Sequence, residues 1–441
     1  MPCDEKLNDG RLAEREDEKG MKDEKALEAI ETLVAELRAH PGRFPDVAAL
    51  GAHSGLGEKR VVAWLRRHYH ATPEDMLRRA RLDAAKQALL KGTDSRAKIV
   101  GAVGYASATH LENDFKMFNG MGTREYRTLG HPGRQFFVRL PADYPLGYLR
   151  RALSRDRHSV TERWEGDVYS TAVLLGGHPF GLTMTFARDR VLVSLDAPTM
   201  ELPRLHALIM GMLGLEQAVT AFGLRARALD LGRLVEGRPQ LRVFQTPTLF
   251  DGLLWAIVGQ QINLQFACRL RGRLMEKRGM RAANGLYVPP TPQAVAALEP
   301  RDLLSLQYSR QKADYLLGLS RTIAEGKLDL EALRAMSATR AERTLLALRG
   351  FGPWSVNYVM MRSLGFADCL PLGDTGVTSG LVSLFRLKQR PNVGATRRLM
   401  ARFSPYRSLA TAHLWQLDRP APEMDVHSDS DGERDTCAIK S

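Results

Sequence analysis

Leu348-Arg-Gly-Phe-Gly-Pro-Trp-Ser355, followed by Pro371-Leu-Gly-Asp-Thr-Gly376, is the stretch whose reading decides the fold. Gly350 and Gly352 can take positive φ and so bring bare backbone N–H groups close to a phosphate. Pro353 suits the first turn of a helix, whose positive end would then face that anion. About twenty residues further on, Asp374 stands in a loop. Taken alone, the glycines fit a tight turn between two ordinary helices equally well. Asp374 alone reads as an Asx-turn or a helix cap.

Another segment upstream, Ala256-Ile-Val-Gly-Gln-Gln-Ile-Asn263, shifts the balance. In this order the segments resemble the helix-hairpin-helix superfamily of DNA glycosylases. The resemblance implies that Gly350, Phe351 and Gly352 form the hairpin that anchors one DNA strand, and that Gln261 enters the base stack where a base leaves. The other reading of Gln261 is a surface polar residue at a helix end. Asp374 would be the catalytic residue. Cleaving an N-glycosidic bond builds positive charge on the sugar, and a fixed carboxylate in low dielectric stabilises it. The same carboxylate would orient or deprotonate the attacking water.

Where bifunctional members of that superfamily carry a nucleophilic lysine, this chain has Trp354, which cannot form a Schiff base. A strand-nicking activity is not expected. Cys3, Cys268, Cys369 and Cys437 lie too far apart for the four-cysteine iron-sulfur loop of the endonuclease branch, so neither a metal nor another cofactor is expected. Trp354 and Tyr358 sit four apart and share a helix face. Trp415 ends Pro405-Tyr-Arg-Ser-Leu-Ala-Thr-Ala-His-Leu-Trp415, which resembles the closing helix of the alkyl-base branch. These three aromatics are expected to wall a pocket for a flipped base; the alternative is that they are core, as most aromatics at helical spacing are. Aromatic faces favour cations, and alkylated purines of the 3-methyladenine and 7-methylguanine type are cationic. Trp64, Trp164 and Trp255 read as core.

The chain of 441 residues carries +13, but residues 1–38 hold −5 and residues 416–441 hold −4, which leaves +22 between them. A charge of that size collects phosphates and makes binding salt-dependent. No segment has the length and apolarity of a membrane span, and the acidic N-terminus does not read as a signal peptide.

Between residues 40 and 130 an internal repeat runs at an offset of 50: Val61, Leu65, His70 and Thr72-Pro73 recur as Leu111, Phe115, Gly120 and Gly122-Thr123. Each copy reads as a helix-turn-helix. The second, from Ile99 to Tyr126, resembles the AraC-type DNA-binding domain. Ser107, Thr109, His110 and Asn113 open its recognition helix, where polar side chains reach base edges. Gly55, Gly57 and Lys59-Arg60 of the first copy suggest phosphate contact instead. A plain helical bundle with solvated faces is the other reading. Alternation in Tyr169–Leu175, Leu182–Phe186 and Val191–Leu195 predicts strands, flanked by helices at Leu146–Ser154 and Leu202–Leu215. Their order resembles the antiparallel α+β lobe of alkyl-base glycosylases, and no chemistry is assigned to it. Ser309–Leu316, a basic helix start, is a further phosphate-contact candidate or a solvated face.

The expected architecture is multidomain: a charged, partly disordered arm over 1–38, an all-α AraC-type double helix-turn-helix over 39–130, a small antiparallel α+β lobe over 134–222, an all-α helix-hairpin-helix glycosylase domain over 240–416, and an acidic disordered tail over 417–441. The whole resembles a DNA-3-methyladenine glycosylase II fused to an AraC-type reader, similar to bacterial adaptive-response proteins of the Ada type but without their methyl-accepting zinc cysteine cluster. The resemblance implies a monofunctional, monomeric, cytoplasmic and nucleoid-associated enzyme of base excision repair. Its partners would be double-stranded DNA containing alkylated bases and, through the reader, operator DNA. The alternative is a transcription regulator whose glycosylase lobe only senses damage or is inactive.

Overall fold

A computed structural model describes residues 23–92, 94–156 and 158–422. Helix α1 covers 23–39. Leu27, Ile30, Leu33, Val34 and Leu37 recur along it at three- and four-residue spacing, and all are buried against Phe44, Leu50, Val61, Leu65 and Met76. From residue 23 the arm expected over 1–38 is a packed helix, its apolar stripe turned inward and its charged face outward. Residues 1–22 lie outside the described residues, and so does the expected tail beyond residue 422.

Helices α2 (Val47–Ser54) and α3 (Glu58–Tyr69) form the first helix-turn-helix. The long α4 (Pro73–Lys91) leads to the second, α5 (Arg96–Val103) and α6 (Ala108–Asn119), and α7 (Thr123–Thr128) closes it. The sequence repeat has a backbone counterpart. Helices α3 and α6 both end on a left-handed residue, His70 at φ 54° and Gly120 at φ 62°. Their beginnings differ: Ser107 caps α6 by accepting from His110 N, whereas Gly57 opens α3 with no side-chain cap.

Strand β1 (Gly133–Arg139) and helix α8 (Leu146–Leu153) precede β2 (Glu162–Glu165), β3 (Val168–Leu175), β4 (His178–Phe186), β5 (Arg190–Thr199) and helix α9 (Leu202–Leu213). The strands form one antiparallel sheet in the order β1-β5-β4-β3-β2. Alternation sends Tyr169, Leu182, Met184, Val191 and Val193 into a core shared with Leu205 and Ile209 of α9. Leu111 and Phe115 of α6 belong to that same core. Two hydrogen bonds reinforce the junction, Arg139 N to Gly120 O at 2.7 Å and the His206 ring to Asn119 O at 2.8 Å. The second helix-turn-helix and the sheet are therefore built on one interior.

The remainder is helical apart from a small ribbon, β6 (Met280–Arg281) with β7 (Tyr287–Val288). Its helices are α10 (Val219–Ala228), α11 (Leu249–Val258), α12 (Leu264–Arg278), α13 (Pro292–Ala296), α14 (Pro300–Ser305), α15 (Arg310–Ala324), α16 (Leu330–Ala335), α17 (Ala338–Leu346), α18 (Pro353–Arg362), α19 (Thr375–Phe385), α20 (Val393–Ala401) and α21 (Arg407–Leu414). Helix α11 is apolar nearly all round and lies at the centre. Its one acid, Asp251, is buried and accepts from Arg271 at 2.8 Å, and Arg271 also reaches Thr161 beside the sheet at 3.0 Å. Among the described residues, no helix is long and apolar enough to cross a membrane.

Candidate active site

The turn between α17 and α18 is Leu348–Gly352. Gly350 has φ 91°, and a Cβ there would stand 2.4 Å from the Tyr315 ring, so both backbone and packing require glycine. Gly352 differs from expectation. It is the N-cap of α18 with φ −106° and ψ 178°, extended backbone rather than a positive φ, and a Cβ would meet nothing within 4 Å. Only Gly350 makes the sharp turn; Gly352 leaves open space in front of an uncapped helix start. Phe351 between them is 7 % exposed and anchors the hairpin in the core. What the hairpin offers to solvent is the Gly352 backbone and the Arg349 side chain, followed by Pro353 in the first helical turn.

A second turn is tied to this one. After α11 the chain passes through Gly259-Gln260-Gln261. Gln260 Nε2 donates to Gly350 O at 2.9 Å, a link the sequence reading missed because it weighed only the next glutamine. Gln261 is exposed and held left-handed at φ 55°, a strained conformation for a side chain-bearing residue. Leu264 beside it is 47 % exposed. Beneath the turn, Lys312 Nζ donates to Val258 O at 2.6 Å and is buried, and that burial lowers its pKa. Lys312 is thus removed from the basic helix start proposed for phosphate contact; it fastens the end of α11 instead.

Asp374 is the N-cap of α19, its Oδ1 accepting from Val377 N at 2.9 Å. It also does more than cap. Trp415 Nε1 donates to Oδ1 at 2.8 Å, and Trp354 Nε1 donates to Oδ2 at 3.1 Å. Gly376 permits this, since a Cβ there would lie 2.7 Å from the Trp415 ring. Trp354 and Tyr358 stack with centroids 5.2 Å apart and planes 16° from parallel. Asp374, Trp354, Tyr358 and Trp415 are all half-buried. The structure brings these four together and puts the hairpin at the start of the helix that bears two of them. A carboxylate gripped by two indole N–H groups is fixed in orientation while aromatic faces stand next to it, an arrangement able to stabilise developing positive charge.

The sheet lobe reaches this region too, although no chemistry was assigned to it. Arg151 on α8 donates to Gln416 Oε1 at 3.1 Å, one residue past Trp415, and its guanidinium lies 5.7 Å over the Tyr148 ring. Neither residue carries a motif that would have singled it out. Trp64, Trp164 and Trp255 are partly buried against the cores.

Thr109, His110 and Asn113 are exposed on the outer face of α6, which Met117, 70 % exposed, extends by a turn. Ser107 is exposed but its hydroxyl is engaged in capping, and the His110 ring packs edge-on against Tyr105 at 5.3 Å.

Residues 254–405 match the HhH-GPD superfamily base excision DNA repair protein family, and residues 50–128 match a helix-turn-helix domain family. The chain is 35 % identical over 180 residues to a DNA-3-methyladenine glycosylase of Bacillus subtilis (strain 168), covering 40 % of this chain and 59 % of the relative. It is 30 % identical over 198 residues to DNA-3-methyladenine glycosylase 2 of Escherichia coli (strain K12), covering 44 % and 66 %. A probable bifunctional transcriptional activator/DNA repair enzyme AlkA of Mycobacterium tuberculosis is 30 % identical over 200 residues, 43 % of this chain and 38 % of that protein. The chain thus spans 59 % of the length of the first of these relatives. In fold it is similar to a 3-methyladenine DNA-glycosylase from Archaeoglobus fulgidus, with TM-score 0.58 and 20 % identity over 64 % of this chain and 98 % of the other.

Proposed function

With residues 254–405 an HhH-GPD domain and residues 50–128 a helix-turn-helix domain, we propose that the chain is a monofunctional DNA glycosylase, active as a monomer on alkylated purines in double-stranded DNA, with a built-in DNA-reading module. The observation that carries the reading is the Asp374 carboxylate held between the indole N–H groups of Trp354 and Trp415. Binding begins at the hairpin, where the backbone N–H groups around Gly350 and Gly352 take one phosphate against the N-terminus of α18. Gln261, and with it Leu264, fills the gap in the stack as the damaged nucleotide swings out.

The flipped base lies against the stacked rings of Trp354 and Tyr358, which favour a purine made cationic by alkylation. The bond between C1′ and the base nitrogen breaks with its electron pair leaving on the base, so a cationic base departs neutral. Asp374 stabilises the positive sugar that remains. Water adds to C1′ and loses a proton to the carboxylate, leaving free base and an abasic site. No lysine stands at the hairpin, Trp354 taking that place, so the backbone of the DNA is not cut.

The test is release of methylated bases from alkylated duplex DNA by the wild type and by Asp374→Asn. Release by the wild type alone supports the reading. No release by either form would leave a DNA-binding regulator with a damage-sensing lobe.

A further inference from the structure

The first helix-turn-helix does not hang free of the helical domain. Glu24 of α1 pairs with Arg340 at 2.6 Å and Arg343 at 2.7 Å on α17, the helix that enters the hairpin. Glu31 accepts from Ser337 at 2.7 Å and from Arg340 at 3.3 Å, and buried His68 of α3 meets Thr339 at 2.9 Å. His70, the left-handed residue that ends α3, reaches further. Its ring lies edge-on to Phe366 at 5.6 Å, and its Nδ1 accepts from the Asp368 backbone N–H at 3.3 Å.

Asp368 is a junction. Its carboxylate accepts from Arg407 Nε at 2.8 Å, Arg407 Nη2 at 3.0 Å, Arg407 N at 3.2 Å and Ser404 Oγ at 2.8 Å. On one side is the segment that leaves α18 and leads to Asp374; on the other is the start of α21, whose far end is Trp415. Those two segments carry the two ends of the Trp415–Asp374 hydrogen bond.

We infer that His70 is a positioning residue for the candidate catalytic carboxylate, a side chain of the reading module that fixes, through Asp368, the two segments bringing Asp374 and Trp415 together. The inference rests on the glycosylase reading for its kinetic consequence, but the geometry it asserts is separate. The repeat sharpens it. In the second copy the same turn is made by Gly120, and a left-handed turn is served by glycine or asparagine, so the imidazole exceeds what the backbone asks for. Burial draws the His70 pKa below its ordinary value and keeps Nδ1 free to accept.

The full-length protein as His70→Gly and His70→Asn tests this. Glycine keeps the turn and removes the ring, while the asparagine amide oxygen restores an acceptor near the place of Nδ1. Expected is a fall of up to about tenfold in the single-turnover rate of base release in H70G, the share of one neutral hydrogen bond, with affinity for undamaged duplex unchanged and most of the rate recovered in H70N. Nitrogen-15 spectra of the indole N–H groups, assigned with Trp354→Phe and Trp415→Phe, should show Trp415 displaced in H70G and returned in H70N. A wild-type rate and unmoved indole signals in H70G overturn the inference. Equal loss in both variants also overturns it, by assigning the effect to the ring against Phe366. If the wild type releases no base, the glycosylase reading fails and the indole spectra alone decide. They also decide, recorded cold, if H70G melts near the assay temperature.

Discussion

The Asp374 carboxylate caps α19 through Oδ1 and receives two indole N–H groups besides, so a helix-cap role alone does not account for its surroundings. Asparagine is itself a good N-cap. Asp374→Asn should therefore keep the melting temperature within a few degrees while the single-turnover rate falls by about two to three orders of magnitude, the scale on which a fixed electrostatic partner acts. Trp415→Phe separates ring from donor. Losing one hydrogen bond to a charged group, about 1.5–3 kcal/mol, should slow release by about ten- to a hundredfold, measured in the same assay. A wild-type rate for Trp415→Phe would show that the indole N–H does not orient the carboxylate. That Asp374, Trp354 and Trp415 would lie together was legible from motif and spacing. The direction of their indole N–H groups was not, because that depends on side-chain torsions set by neighbours such as Gly376.

The hairpin between α17 and α18 offers a contrast within one element. At Gly350 an alanine would need φ 91° and would meet the Tyr315 ring, so Gly350→Ala should destabilise the fold by about 1–3 kcal/mol. At Gly352 the backbone is ordinary and the space is open, so Gly352→Ala should leave stability within about 0.5 kcal/mol. If a phosphate approaches that open space, Gly352→Ala should nonetheless weaken duplex binding, read by denaturant unfolding beside a binding titration. Equal affinity for Gly352→Ala and wild type would place the phosphate elsewhere. Both glycines were expected to share one conformation because composition does not say which residue of a turn bends. Strands β3, β4 and β5 were legible from alternation. Strand β2 is only four residues long, and β1 exposes two successive residues before alternation begins, so neither presents a clear period. The charge over residues 1–38 suggested an arm, whereas from residue 23 the chain is the packed helix α1.

At the scale of the whole molecule, buried histidines set how stability responds to acid. Burial draws the pKa of His206 to about 4 and that of His413 to about 3. In the unfolded chain both return to about 6.5. Below that pH the unfolded chain binds protons that the folded chain refuses, so the stability these residues contribute is present above pH 6.5 and is lost as pH falls towards 4 and 3. Each should add up to about 1.4 kcal/mol per pH unit to the slope. Denaturant unfolding at pH 7 and 5.5 reads it, and His206→Gln should remove one share; an unchanged slope in that variant refutes the assignment. The order of the three regions along the chain was legible because strand alternation separates an internal helix-turn-helix repeat from the glycine-hairpin and aspartate motifs. Their mutual docking was not, because His68, His70 and the partners of Glu24 and Glu31 meet across hundreds of residues.

The interior common to α6 and the sheet has an evolutionary corollary. Leu111 and Phe115 belong at once to the second helix-turn-helix and to the core of the sheet lobe. An exchange of the reader for another by recombination near residue 130 would split that core and leave oily faces bare. An apolar substitution on α6 would therefore be felt on β1, β5 and α9, and a designer regrafting this module is confined to the outer turns of α6.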